Sequence, residues 1–343
     1  METLNFASDY IRGAHPAMLD ALAAANAGAF TGYGTDVLSE SARRYIREAA
    51  ACPGAAVHFV SGGTQANLTV LAAMLRSCEG VIAADTGHIN AHEAGAIELT
   101  GHKVLLLPGK DGKLDASAVR AFMERFSRDE NRQHTVQPKA VYLSQPTEYG
   151  TLYTKAELEA FRRVCDEYGL YLYVDGARLA YALACPGNDV RLPVLSELTD
   201  AFTIGGTKCG ALFGEAMVIP DPKLLPLFFT QIKQRGALLA KGFVLGAQFE
   251  ALFKDGFYER IGAPAIGAAE KIRRALTEKG YPLTPPTPTN QIFVTLTNER
   301  YEALTKRVLL GFWEQPDEAH TVARIATSWA TTEEETGALI DLM

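Results

Sequence analysis

Cysteine is scarce in this chain, and what there is does not pair. Five residues, at positions 52, 78, 165, 185 and 209, are scattered with no C-x-x-C spacing. An odd, dispersed set argues against a disulfide framework and fits free thiols in a reducing compartment. Basic residues are outnumbered, 33 against 40 acidic, for a net charge of −7. That excludes the basic footprint of a nucleic-acid binder. No apolar run reaches the roughly 18 residues a membrane span requires. The opening METLNFASDY has neither a basic stretch nor an apolar core, so no secretory signal and a cytoplasmic location are expected. Internal repeats and low-complexity tracts are missing as well. What remains is ordinary soluble composition, 48% hydrophobic and 21% charged over 343 residues, enough for a large core and two domains.

The pattern along the chain is alternation. Helical stretches are expected at 16–25 and 36–51. Then come strand 56–60, helix 64–77, strand 80–84, helix 91–99, strand 103–107, helix 115–127, strand 139–144, helix 154–168 and strand 170–174. Strands separated by helices of this length predict βαβ units and a mostly parallel sheet. Two more strands are expected at 200–204 and 215–219, followed by helices at 222–234, 242–254 and 257–279. After the proline-rich YPLTPPTPTN (281–290) the reading is strand 291–296, helix 298–309, strand 321–328 and a last helix from Thr332.

Three polar motifs fall at strand ends, where ligands bind in open α/β sheets. In HFVSGGTQANL (58–68) a strand runs into Ser61-Gly62-Gly63-Thr64 and a helix. Glycines let the backbone approach an anion, and the helix N-terminus favours negative charge. This is neither G-x-G-x-x-G nor a Walker loop, and taken alone a plain strand-to-helix turn with a Thr cap explains it at least as well. In LYLYVDGARLA (170–180) Asp175 ends a β-prone run, with Arg178 three residues on. A carboxylate there can hold a cationic ring nitrogen, and the guanidinium can grip a carboxylate; taken alone, a helix cap and a surface arginine would explain both. In TIGGTKCG (203–210) one lysine, Lys208, stands among glycines 205, 206 and 210. A lysine that forms a Schiff base needs room, desolvation and a nearby anion. Together the three motifs supply the partners of pyridoxal 5′-phosphate: phosphate site, ring-nitrogen carboxylate and lysine. The pair His88 and His92, four apart, offers a rival metal reading, but no H-E-x-x-H is present and spacing gives no third ligand.

The chain resembles the threonine aldolase / aromatic amino acid β-eliminating lyase family through FASDYIRGAHP, YGTD, SGGTQAN, TGHINAHEAGA, SQPTEYGTLYT, VDGARLAYA, IGGTKCGALFGEA, RGALLAKG and RIATSWATTEE, in family order. The resemblance implies an α/β fold of pyridoxal-phosphate fold type I. It would have an N-terminal arm at 1–15, a large domain with a mostly parallel seven-stranded sheet at 16–245, and a smaller C-terminal α/β domain at 246–343. It further implies that Lys208 joins the cofactor aldehyde, Asp175 pairs with the ring nitrogen, and His88 stacks on the ring. Gly63, Thr64 and the amide of Gln65 would hold the phosphate, with Thr207 and Arg178 also against the cofactor. Lys241 would reach the cofactor phosphate across a subunit interface and Tyr33 would border the substrate site from a neighbouring copy, so a homo-oligomer is expected, a dimer or homotetramer with shared sites. Ser8, Arg178 and Arg324 would bind the carboxylate of a small amino acid substrate. The implied activity is a lyase that cleaves L-threonine or L-allo-threonine to glycine and an aldehyde, with His88 as base; β-elimination from an aromatic or sulfur amino acid is the alternative. His92, Phe243 and the SQPTEYG loop depart from the family pattern.

Overall fold

The computed structural model describes residues 4–343. Its eleven strands are β1 (Leu4–Phe6), β2 (Ala56–Val60), β3 (Glu79–Ala84), β4 (Lys103–Leu107), β5 (Gln137–Ser144), β6 (Tyr171–Asp175), β7 (Ala201–Gly205), β8 (Glu215–Ile219), β9 (Gln291–Thr297), β10 (Val308–Glu314) and β11 (His320–Ala326). Seven of them form one sheet in the order β2-β8-β7-β6-β5-β3-β4. Only β8 runs against its neighbours. The other six strands therefore end on the same edge. Strands β6 and β7 are buried almost throughout, as expected where helices cover both faces of a parallel sheet. One cover is the helix Lys155–Tyr168, which starts at a Thr154–Glu157 capping box and stops at Gly169 in the left-handed region. The opposite face is filled by the helix Gly63–Met74, through Val70, Leu71 and Met74.

The remaining strands form a second sheet, β1-β10-β11-β9. Its core is separate. Phe6 packs there with Ala269, Ile272 and Leu276 of the helix Ala263–Glu278 and with Leu339 of the final helix. Residues up to Ile266 pack instead into the core of the large sheet. No helix among the described residues is long and apolar enough to cross a membrane.

Three expected helices are broken, two of them where the backbone takes positive φ. The 91–99 stretch becomes His88–Ala91 and Ala96–Leu99, because Ala94 and Gly95 both take positive φ, 52° and 75°. A right-handed helix does not pass through two such residues. Leu227, with φ 60°, separates a short turn at Pro222–Leu224 from the helix Phe228–Gln234. The 257–279 stretch splits at Gly262 into Phe257–Arg260 and Ala263–Glu278. The expected helix 298–309 ends at Thr305, and β10 follows. Neither β10 nor β1 was expected. Both exist because they pair: Leu4–Phe6 lies parallel to Val308–Leu310, and β10 pairs antiparallel with β11.

Candidate active site

The shared strand edge gathers the polar motifs. Asp175 is the last residue of β6, Lys208 lies three residues beyond β7, and Ser61 to Thr64 follow β2. The loops after β6 and β7 are in backbone contact. A Cβ on Gly176 would lie 2.1 Å from Thr203 O, and one on Gly205 would lie 2.1 Å from Ala177 O. Near Lys208, then, Gly205 clears space for the loop after β6, whereas the sequence suggested that it makes room for a ligand. Gly62 and Gly63 are different: a Cβ there would meet nothing within 4 Å. They open onto a cavity.

Two cavities meet here. The inner one, about 210 Å³, is lined by Ser61 to Thr64, Asn67, Asp175, Thr207 and Glu215 among others. The outer one, about 530 Å³, is walled by Tyr10, Tyr149, Phe312, Trp313 and Arg324. Lys208, Arg178, His88 and Glu148 line both. Burial, and then the Arg178 guanidinium, lower the pKa of Lys208 from the ordinary lysine value. That direction favours a nucleophilic amine.

Asp175 is held from several sides. Asn67 Nδ2 and Tyr142 OH each donate to Oδ2 at 2.8 Å, and the Ala177 N–H donates to Oδ1 at 2.9 Å. Burial pushes its pKa up; His88, these donors and Lys208 push harder the other way, and the net shift is down. The carboxylate stays charged where a cationic ring would need it. Asn67 also donates to Glu93 Oε1 at 2.7 Å and accepts from Tyr173 OH at 2.7 Å. Glu93 Oε1 in turn meets His88 Nδ1 at 2.7 Å. With a carboxylate as partner, Nδ1 is the donor and Nε2 is left as the ring's acceptor. Asn67, Tyr142 and Glu93 were not singled out as site residues from sequence, although Asn67 and Glu93 lie inside quoted motifs. The rings of His88 and His92 stand 5.6 Å apart, but among the described residues no three His, Cys, Asp or Glu side chains converge as a metal site requires.

The two arginines differ. Arg178, expected to grip a substrate carboxylate, already grips one of the chain's own: Nε donates to Asp9 Oδ2 at 2.6 Å and Nη2 to Oδ1 at 3.0 Å. Asn290 Nδ2 donates to the same carboxylate at 2.9 Å. Among the described residues Arg324 has no acid partner. It donates to Ala7 O at 2.9 Å and Gln291 Oε1 at 3.3 Å, and its Nε has no acceptor. Ser8 Oγ, between Ala7 and Asp9, is buried and equally unpartnered. Buried polar atoms without partners are costly. Ser8 lines neither cavity, but Arg324 lines the outer one, and a guanidinium there without an acid among the described residues fits an added anion.

The cradle fits a phosphate. Gly62 offers no side-chain cap, and the first helical amide bonded back to it is that of Ala66, to Gly62 O. The amides of Gly63, Thr64 and Gln65 precede it and lie at the positive end of a twelve-residue helix. The Gln65 side chain turns back to the Ser61 N–H (3.1 Å) and Oγ (2.8 Å). Tyr33 and Lys241 line neither cavity. Lys241 is exposed, and Tyr33, 43% exposed, carries Lys233 Nζ over its ring at 4.0 Å.

The sequence profile described as Beta-eliminating lyase matches residues 5–299. The chain belongs to the Beta-eliminating lyase family. Within curated proteins this lyase-family chain is 33% identical over 310 residues to the low specificity L-threonine aldolase of Pseudomonas aeruginosa, covering 89% of this chain and 88% of that one. It is 30% identical over 335 residues to the enzyme of the same description from a Pseudomonas species, covering 97% and 94%. Among solved structures, the Leishmania major threonine aldolase superposes with a TM-score of 0.95 at 44% identity, over 99% of this chain and 98% of that one. A Thermus thermophilus aspartate aminotransferase variant shares the fold, with a TM-score of 0.73 at 17% identity over 99% and 90%. The Beta-eliminating lyase chain thus has fold type I architecture.

Proposed function

We propose that the chain is a pyridoxal 5′-phosphate-dependent lyase that cleaves L-threonine or L-allo-threonine to glycine and an aldehyde. The observation that carries this reading is the convergence of Lys208, Asp175, Gly63 and Thr64 on one cavity, next to a second that Arg324 lines with no acid partner among the described residues. When bound, the cofactor supplies an electron sink for a bond broken at the amino acid's Cα. The protein's part is orientation and proton control. Lys208 is the amine that holds the cofactor aldehyde. Asp175 keeps a proton on the ring nitrogen, supported by Asn67 and Tyr142. Gly63, Thr64, Gln65 and Thr207 would hold the phosphate, and His88 would lie against the ring.

Arg324 and Ser8 bind the substrate carboxylate. With Asp9 neutralising Arg178, Arg178 contributes mainly by shaping this wall. Fixing the carboxylate fixes which Cα bond stands ready to break. We place the boundary between a large and a small domain inside the helix Ala263–Glu278, where core membership changes, further along than the expected 245/246. Tyr33 and Lys241 act across an interface between copies, in a homotetramer or dimer located in the cytoplasm.

The test is a product assay with the purified enzyme and threonine. Glycine with acetaldehyde supports the reading. Pyruvate with ammonia from an aromatic or sulfur amino acid, and no glycine from threonine, would replace it with β-elimination.

A further inference from the structure

Cleaving the bond between Cα and Cβ of a β-hydroxy amino acid requires a group that takes the hydroxyl proton. His88 is the residue sequence reasoning favours for this. In the structure its Nδ1 is committed to Glu93 at 2.7 Å, and in the role proposed above its ring would be engaged with the cofactor. Glu148 stands differently. Of the carboxylates that line the two cavities (Asp85, Glu148 and Glu314 in the outer one, Glu148, Asp175 and Glu215 in the inner one), only Glu148 lines both. It therefore sits where the carboxylate wall of the outer cavity meets the Lys208 side of the inner one.

Its orientation is fixed through one oxygen. Oε1 accepts from the His88 backbone N–H at 2.9 Å and from Ser144 Oγ at 2.7 Å. Oε2 accepts from neither and is not among the sealed, unpartnered atoms, so it is the oxygen open to the cavity. The loop that carries it is braced: Gln145 exchanges bonds with Tyr153, accepting from its N–H at 2.9 Å and donating to its carbonyl at 3.1 Å, and Gln291 Nε2 donates to Glu148 O at 3.3 Å. A carboxylate 7% exposed, pinned by one oxygen and free at the other, has the geometry of a proton acceptor.

We propose that Glu148 takes the proton from the substrate β-hydroxyl. As the O–H bond breaks, its electron pair closes the carbonyl of the departing aldehyde. The Cα–Cβ pair stays with Cα, which later gains one proton, so glycine and aldehyde balance the substrate. Burial raises the pKa of Glu148 above the usual glutamate value; Ser144 and His88 oppose the shift and Asp175 adds to it. Arg178 and Lys208 line the same cavities, and Tyr142 joins Ser144 to Asp175. A raised carboxyl is a better base for an alcohol than an ordinary one.

This inference rests on the retro-aldol reading, and the experiment separates the two. Glu148→Gln keeps an acceptor for His88 N–H and Ser144 but cannot take a proton. With threonine, kcat should fall about 10²- to 10⁴-fold, while KM stays within a few-fold. Exchange of the glycine α-proton with solvent deuterium involves no hydroxyl and should persist within a few-fold of wild type. Glu148→Asp should recover at least about tenfold of the lost kcat, since it restores the carboxyl. Infrared titration of the enzyme without substrate should show one carboxyl, absent in the Gln variant, that titrates above the ordinary glutamate range. Near-normal threonine cleavage by Glu148→Gln overturns the proposal. So does a glycine exchange rate that falls in step with cleavage, because Glu148 would then only support the site. Wild-type enzyme that releases no glycine from threonine removes the retro-aldol reading and this inference with it.

Discussion

Replacing Asp9 with asparagine removes a charge from the most enclosed ion pair near the site. The Asp9 side chain is 0% exposed and that of Arg178 11%. Burial alone would raise the Asp9 pKa, yet Arg178, Lys208 and Asn290 bring it down from 3.8 to about 2. At about 1.4 kcal/mol per tenfold, that difference corresponds to about 2.5 kcal/mol of native-state stabilisation. Breaking one side of a buried pair costs about 3–5 kcal/mol in other proteins, so the lower figure is a floor. At about 2.1 cal/mol/K per residue, the unfolding entropy of 343 residues is about 0.7 kcal/mol/K, and the floor translates into a Tm lowered by about 3–4 °C. The sign with pH follows from the depressed pKa: the contribution is fully present above 3.8 and is lost as pH falls through about 2. Thermal melts of wild type and Asp9→Asn should therefore differ by a constant amount from pH 5 to pH 8, and the two should converge toward pH 2. A gap under about 1 °C at pH 7, or one that widens in acid, would refute the claim that the Arg178 charge is held by Asp9.

Lys208→Ala should abolish turnover, and borohydride reduction of the wild-type enzyme with its cofactor should label the peptide bearing Lys208; a label on Lys233 or Lys241 would sink that assignment. Arg324→Ala should raise KM for the amino acid about 10- to 100-fold, the worth of a charged hydrogen-bonded contact, and should also lower kcat. It should leave Tm nearly unchanged because no acid among the described residues depends on that guanidinium; a sharp fall in Tm with unchanged KM would make it a structural residue. Gly205→Ala should give little folded protein, since the added Cβ would sit 2.1 Å from Ala177 O; normal expression and melting would contradict the close approach of the two loops.

The sequence by itself determined the parallel sheet and the position of Lys208 and Asp175 at strand ends. Both are properties of local pattern: apolar runs of strand length, helices between them, and polar residues where the runs stop. It also determined that a glycine-rich turn opens the helix Gly63–Met74. Tertiary structure decided which polar groups are partners. Asp9 and Arg178 are 169 residues apart and Asn67 and Asp175 are 108 apart, and no periodicity reports a contact of that range. The same holds for β10, whose apolar run follows a helical one without a glycine or proline between them, so only pairing with β1 and β11 marks it as a strand. The division of labour between the arginines was decided there too. Sequence presents two guanidiniums at strand-associated positions; the fold brings an aspartate to one and leaves the other on a cavity wall with no ion pair among the described residues. A charge's role depends on what its burial leaves it next to.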